Sequence, residues 1–131
     1  MLARRVTELG PLEQAVMDFV WDRGGHVTVR EVHGAVGSGR GLAYTTVMTV
    51  MDRLWRKGLL QRRRIGRAYL YEPRITREEH AAQLVRKVLA GVKDRRSVLL
   101  GFVRSVDDVD LAELERLVRD ARRAKRSDRG R

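Results

Sequence analysis

A chain of 131 residues holds one ordinary domain, or one small domain with an appendage. Its 28 Lys and Arg against 17 Asp and Glu leave a formal charge of +11, which favours a polyanionic partner: DNA first, RNA second, an anionic membrane third. The lack of cysteine excludes disulfides, thiol nucleophiles and thiolate metal sites. No apolar run reaches membrane length and the opening MLARRVTELG lacks a signal-peptide core, so a soluble, cytoplasmic protein is expected.

Total charge alone does not decide function. Only four of the cations are lysines, a bias that a GC-rich genome produces unaided. The excess is also spread along the chain, with 13 cations against 7 anions in residues 1–74. Placement has to carry the argument.

Residues 1–9 read as a short, loosely held arm, with Arg4 and Arg5 solvated or touching a phosphate. Gly10-Pro11 puts proline at a helix N1 position. Leu12, Ala15, Val16, Phe19 and Val20 then make one apolar face of a helix of about three turns. Trp21 closes that face and Gly24-Gly25 end the helix. His26-Val27 is expected as a very short strand. Thr28 and Glu31 form a capping box for a second helix that buries Val29, Val32, Ala35 and Val36. The sequence GSGRG at 37–41 has no P-loop context and reads as the turn of a helix-turn-helix.

The stretch 42–71 organises the rest. Val47, Val50, Met51, Leu54 and Gly58 recur at helical spacing and face a core. The opposite side carries Thr45, Thr46, Met48, Thr49, Arg53 and Arg56. Threonine offers a hydroxyl to base edges and a methyl to thymine, and arginine forks onto guanine or phosphate. Taken alone, this is equally an ordinary amphipathic helix with a solvated face. The sequel decides between the two. Lys57-Gly58 stops the helix, Leu59–Arg64 reads as a strand, Ile65-Gly66 as the turn and Arg67–Tyr71 as the returning strand, with Pro73 ending the pairing. Arg62, Arg63, Arg64 and Arg67, with Lys57 before them, repel one another unless phosphates are near. The expected contacts are therefore Tyr44, Thr45, Thr46 and Thr49 on or near bases and Met48 on a thymine methyl. Arg53, Lys57, Arg62, Arg63, Arg64 and Arg67 are expected on phosphates or in a minor groove.

Beyond Pro73 the pattern is helical only. Thr76 and Glu79 cap a fourth helix with Leu84, Val85, Val88 and Leu89, ended by Gly91. Asp94 caps a fifth carrying Val98, Leu99, Phe102 and Val103. Asp110 and Glu113 start a sixth carrying Leu111, Leu114, Leu117, Val118 and Ala121. These stripes are too narrow for a comfortable monomer, and pairing of two copies is the economical solution. Packing back onto the first domain is the alternative. The expected dimer contacts are Leu84, Val88, Leu99, Phe102, Leu111, Leu114, Leu117 and Val118. The fold class is mainly α with a small antiparallel sheet. It comprises a winged helix-turn-helix over residues 1–74, a helical dimerisation segment over 75–124 and a basic, unstructured tail over 125–131.

Chemistry of other kinds finds little support. His26, His33 and His80 share no metal-ligand spacing. The pairs Glu78-Glu79 and Asp107-Asp108 sit at helix starts, where they complement the dipole. No Ser-His-Asp arrangement is present, and neither enzyme activity nor a cofactor is expected.

The segments LGPLEQAVMDFVW, TVREVHGAV, LAYTTVMTVMDRLWRKGLL and RRRIGRAYLYEP resemble the penicillinase and methicillin-resistance repressors, the BlaI/MecI/CopY family, and LAYTTVMTV with RL-x-x-KG-x-L its actinobacterial branch. The resemblance spans nearly the whole chain and is most specific in the first 74 residues. QLVRKVLAGV and SVLLGFV are similar to the family's dimerisation segment in position and length. The resemblance implies a homodimeric repressor on a palindromic operator. It also implies release by proteolysis in a β-lactam or cell-wall circuit of antibiotic resistance, where a membrane sensor metalloprotease activates the cut indirectly. The family's cut precedes a Phe in an L-x-x-Phe-Val context, here Gly101–Phe102, although the family commonly has Asn where this chain has Gly101. Copper-responsive members carry cysteine ligands near the C-terminus, and this chain has none. The rival readings are a non-specific nucleic-acid packaging or RNA-binding protein, and a winged-helix protein-interaction module.

Overall fold

The computed structural model describes residues 8–130, so Arg4 and Arg5 of the expected arm lie outside the described residues. Helix α1 (Pro11–Arg23) starts with proline at N1, where the missing N–H costs nothing, and Glu13 Oε1 accepts the Gly10 N–H at 3.2 Å. Val16, Met17 and Val20 point inward. Helix α2 (Val29–Val32) opens with the expected capping box: Glu31 N–H donates to Thr28 Oγ1 at 3.1 Å, and Thr28 N–H to Glu31 Oε1 at 3.2 Å.

The sequence expectation for the next stretch is corrected. Instead of turning at residues 37–41, the chain continues from α2 through a wide π turn (His33–Gly37) and a 3-10 turn (Ser38–Arg40) before Gly41 breaks it. Ser38 Oγ donates to the Gly34 carbonyl and Arg40 Nη1 to the Val36 carbonyl, which occupies acceptors that the helix end leaves open. The wide turn moves the inward stripe, so Val36 and Gly37 are buried and Ala35, expected inside, is exposed. Gly37 is required by space: a Cβ there would lie 2.6 Å from His33 Cδ2 and 3.2 Å from Val47 Cγ2.

Helix α3 (Tyr44–Arg56) buries Val47, Val50, Met51 and Leu54, as its periodicity predicts. Gly58, at φ 81°, turns the chain into β1 (Leu60–Ile65), which pairs antiparallel with β2 (Ala68–Pro73). The loop is Gly66-Arg67, one residue later than expected, because Ile65 pairs with Ala68 and Gly66 takes the positive φ of 61° that a two-residue hairpin needs. Pro73 lies within the pairing, opposite Leu60, at the strand's last position, where a missing donor is tolerated. Where a very short strand is expected, Val27 makes a single bridge to Tyr71 through two 2.8 Å backbone bonds. Tyr71, Leu60 and Val27 meet the inward residues of α1, α2 and α3 in one core.

Helices α4 (Arg77–Gly91), α5 (Arg95–Ser105) and α6 (Asp108–Arg129) follow. Asp94 and Asp107 cap the last two, so α6 begins at Asp108 rather than Asp110. It also runs to Arg129, through residues expected to be unstructured. Their polarity suggests disorder, but Arg and Lys are strong helix formers and cations suit a helix C-terminus. The compact units divide after Lys87, not after residue 74, and no described residue from 88 to 130 is buried.

One ion pair closes the first unit. Lys57 Nζ lies 2.6 Å from Glu13 Oε2, joining the end of α3 to the start of α1. Burial would raise the Glu13 carboxyl, but the Lys57 and Gly10 hydrogen bonds outweigh it and hold it below its ordinary value. A depressed carboxylate contributes stability above its unfolded pKa and loses it as pH falls through the folded one. Glu13→Gln is therefore expected to be less stable than wild type at pH 7 by about 1–3 kcal/mol in denaturant melts, with the gap narrowing as pH falls below the ordinary glutamate range. A gap that persists at low pH would refute this role for the pair.

Candidate nucleic-acid interface

The inward stripe of α3 dictates what its other face shows. Tyr44, Thr45, Thr46, Met48 and Thr49 are all exposed, Met48 by 45 %. The first turn is braced from behind: His33 Nε2 donates to the Leu42 carbonyl at 2.8 Å, and its ring meets Tyr44 edge-on at 5.8 Å. Thr49 Oγ1 donates to the Thr45 carbonyl at 2.9 Å, so its hydroxyl faces outward only as an acceptor. Between α3 and the hairpin runs a groove of about 710 Å³, lined among others by Arg30, Tyr44, Met48, Thr49, Arg67 and Tyr69.

The cations separate into two groups. Arg53, Arg63 and Arg67 are exposed, and among the described residues none has a carboxylate within ion-pair distance. Arg64 is exposed as well, its Nε donating to the Gly66 carbonyl at the hairpin tip. The other two are corrections to the sequence reading. Lys57 is held by Glu13 and faces the core side of the helix end. The Arg62 side chain keeps only 15 % of its exposure, with Nη1 2.9 Å from Asp52 Oδ1 and 3.3 Å from Tyr71 Oη. Its guanidinium lies between the Trp55 ring at 3.6 Å and the Tyr69 ring at 4.1 Å. Burial opposes its charge, but the Tyr71 and Asp52 hydrogen bonds prevail and its pKa lies above the ordinary value. Arg62 therefore fastens the hairpin to α3, its guanidinium engaged by Asp52, Tyr71 and the two rings.

A sequence signal for this existed. Strand alternation puts Arg62 on the same face as Leu60, which is buried. Sequence reasoning also missed Arg30, an exposed cation on α2 that lines the groove beside Tyr44 and Thr49.

The expected dimer residues lie as follows. Val88, Leu99, Phe102, Leu117 and Val118 are exposed, Phe102 by 54 %, whereas Leu84, Leu111 and Leu114 are half-buried. Gly101 and Phe102 sit inside α5, on its exposed surface. Among the described residues no cluster of His, Cys, Asp or Glu could hold a metal ion, and no helix is long and apolar enough to cross a membrane.

An exposed helix of threonines beside an arginine-tipped ribbon, on a helix-turn-helix frame, defines a winged-helix DNA-binding protein. The model of the penicillinase repressor family matches residues 9–120. The transcriptional regulator BlaI of Mycobacterium tuberculosis, from two strains, is 46 % identical over 85 % of this chain and 88 % of its own length. The solution structure of the DNA-binding domain of the repressor BlaI shares the fold, with a TM-score of 0.52 at 23 % identity over 59 % of this chain and 93 % of that domain. The chain belongs to the penicillinase repressor family: it is a DNA-binding transcriptional repressor, not an enzyme.

The division of the cations is measurable. Arg67→Ala is expected to reduce the salt dependence of DNA binding by about one phosphate contact with sequence preference kept. Lys57→Met is expected to leave that slope unchanged while lowering the melting temperature. A slope that falls with Lys57→Met would place Lys57 back on the phosphates.

Proposed function

We propose that the protein represses transcription as a homodimer on a two-fold symmetric operator, each protomer laying α3 in a major groove and its hairpin along the flanking backbone. The observation that carries this is the outward set Tyr44, Thr45, Thr46, Met48 and Thr49, flanked by Arg53, Arg63, Arg64 and Arg67, which among the described residues have no carboxylate partner. Threonine hydroxyls, methyls and the Met48 thioether suit base edges and thymine methyls. Arg53, Arg63, Arg64 and Arg67 neutralise phosphates and set the register, which positions the helix without specifying sequence.

One such helix reads few base pairs, so a lone protomer binds weakly. Joining two through the C-terminal helices makes the second contact effectively intramolecular and raises affinity ~10²–10⁴-fold. Support for pairing lies in residues 88–130, where the apolar stripes remain on the surface and no described residue is buried. Patches of that kind are interaction surfaces. The dimer contacts are Val88, Leu99, Phe102, Leu117 and Val118, with Leu84, Leu111 and Leu114 beside them. Repression follows by occlusion of the promoter.

Relief follows from a cut at Gly101–Phe102, triggered indirectly by a membrane sensor metalloprotease in a circuit of the β-lactam or cell-wall type. A protease needs extended backbone, and a helix must open locally to provide it. Glycine inside α5 weakens that helix by about 1 kcal/mol relative to alanine, which lowers the cost of opening residues 100–103. The cut removes the pairing gain and touches no DNA contact.

Two measurements test the reading. Thr46→Ala is expected to weaken binding to the operator by about 1–3 kcal/mol and leave binding to scrambled DNA nearly intact. Equal loss on both would make Thr46 a bystander and favour non-specific packaging. Truncation after Lys87 is expected to give a monomer by sedimentation that binds the operator ~10²-fold or more weakly than the full chain. A truncated chain that footprints the operator at full strength would overturn both pairing and relief by cleavage.

A further inference from the structure

The last helix changes character halfway along. Residues 108–115 of α6 carry four carboxylates and no cation. From Arg119 to Arg129 the same helix carries six cations, Arg119, Arg122, Arg123, Lys125, Arg126 and Arg129, against Asp120 and Asp128. At 3.6 residues per turn the six fall within about 160° of the helix circumference and the two carboxylates fall in the remainder, so the cations form one face roughly 15 Å long. All six are exposed, and among the described residues none has a carboxylate within ion-pair distance.

Folding does not account for this face. The apolar stripe of α6 ends at Ala121, and beyond it only Ala124 is apolar, so the last two turns have nothing to bury. Like charges three and four apart, such as Arg119 with Arg122 and Arg123, destabilise a helix. The helix dipole favours cations only in the last turn, which accounts for Arg126 and Arg129 and leaves the other four. A genomic preference for arginine raises their number without placing them on one side. The start of α4 shows what a structural tie looks like in this chain: Trp21 Nε1 donates to the Ile75 carbonyl at 3.0 Å. Among the described residues none of the six cations makes a side-chain hydrogen bond of any kind.

We propose that the end of α6 is a second nucleic-acid contact, a sequence-independent seat for the phosphate backbone of duplex DNA. A one-sided row of cations meets a polyanion that carries one charge per about 1.7 Å of axis, and each phosphate neutralised releases a counterion. Such contacts add affinity and carry no sequence information. An anionic membrane fits less well: a helix lying in a bilayer interface needs large apolar residues opposite its cations, and this face has only Ala121 and Ala124 behind it. The acidic start of α6 in a second copy also fits less well, because its four carboxylates are fewer than the cations and Glu113 is already held by Arg116. Most of the face lies beyond residue 120, where the match to the repressor family ends. It therefore adds to the contact made by α3 and the hairpin, and it does not depend on how protomers pair.

The test is full-length protein on scrambled duplex DNA, titrated over a range of salt. Arg122→Gln, Arg123→Gln and Arg126→Gln together, which keep helix propensity, are expected to reduce the slope of log affinity against log salt by about two to three. Affinity for the operator is expected to fall by the same factor, so that preference for the operator is kept. Arg122→Lys, Arg123→Lys and Arg126→Lys together are expected to retain the slope. Arg95→Gln, Arg96→Gln and Arg104→Gln, which remove the same charge from α5, are expected to change it by less than about one. Circular dichroism and sedimentation follow helix content and assembly in each variant. A wild-type slope in the first variant overturns the inference. So does an equal fall in the α5 variant, which would be an effect of bulk charge, or a fall in the lysine variant, which would be a structural one. Loss of assembly in the first variant would give the face to a second copy. An unchanged slope on DNA with lost binding to phosphatidylserine vesicles would give it to a membrane, and either result overturns the DNA contact.

Discussion

The DNA contact proposed for this molecule depends on how α3 is seated. Val47, Val50, Met51 and Leu54 are buried in the core formed by α1, α2 and the hairpin, and a helix has only two faces to offer. Burying one stripe compels the threonines and Met48 to face water. The seat is tight because Gly37 admits the helix where any side chain would collide with His33 and Val47. A packed interior does not deform continuously, so the outward face of α3 is held in place by its buried one.

The hairpin inherits its position from the same helix. Arg62, stacked between Trp55 and Tyr69 and bound to Asp52 and Tyr71, converts what would be a free two-stranded ribbon into an attached one. An isolated hairpin is marginal in water. Here one strand pair is anchored to α3 by a cation and to the residue 26–28 segment by the Val27–Tyr71 bridge. The charge that Arg62 contributes to composition is thus consumed in structure. Arg63, Arg64 and Arg67, further out toward the tip, hold charge that a polyanion can meet.

Local signals were legible in the sequence. The stripe on α3, the Thr28 and Glu31 box and the Pro11 start all depend on residues a few positions apart, and all appear as read, whereas the expected strand at Val27 is a single bridge. What could not be read is pairing across distance. Lys57 looks like a phosphate ligand until Glu13, 44 residues earlier, is found beside it. A run of cations reads the same whether it faces carboxylates or phosphates. The hairpin register slipped by one because Ile65 next to glycine resembles a turn, and only the pairing with Ala68 resolves it. At the end of α6 the polarity of the residues masks the helix propensity of their Lys and Arg.

The chain contains two tryptophans, and each stands at a joint. Trp55 lies flat against the guanidinium that pins the wing, and Trp21 supplies the indole N–H that pins the start of α4. Indole emission responds to a stacked cation and to the loss of a hydrogen bond. The protein therefore carries two native optical reporters, one at each articulation of the reading module. Replacing either tryptophan with phenylalanine leaves the other to signal alone, so movements of the two joints can be followed separately in unlabelled protein.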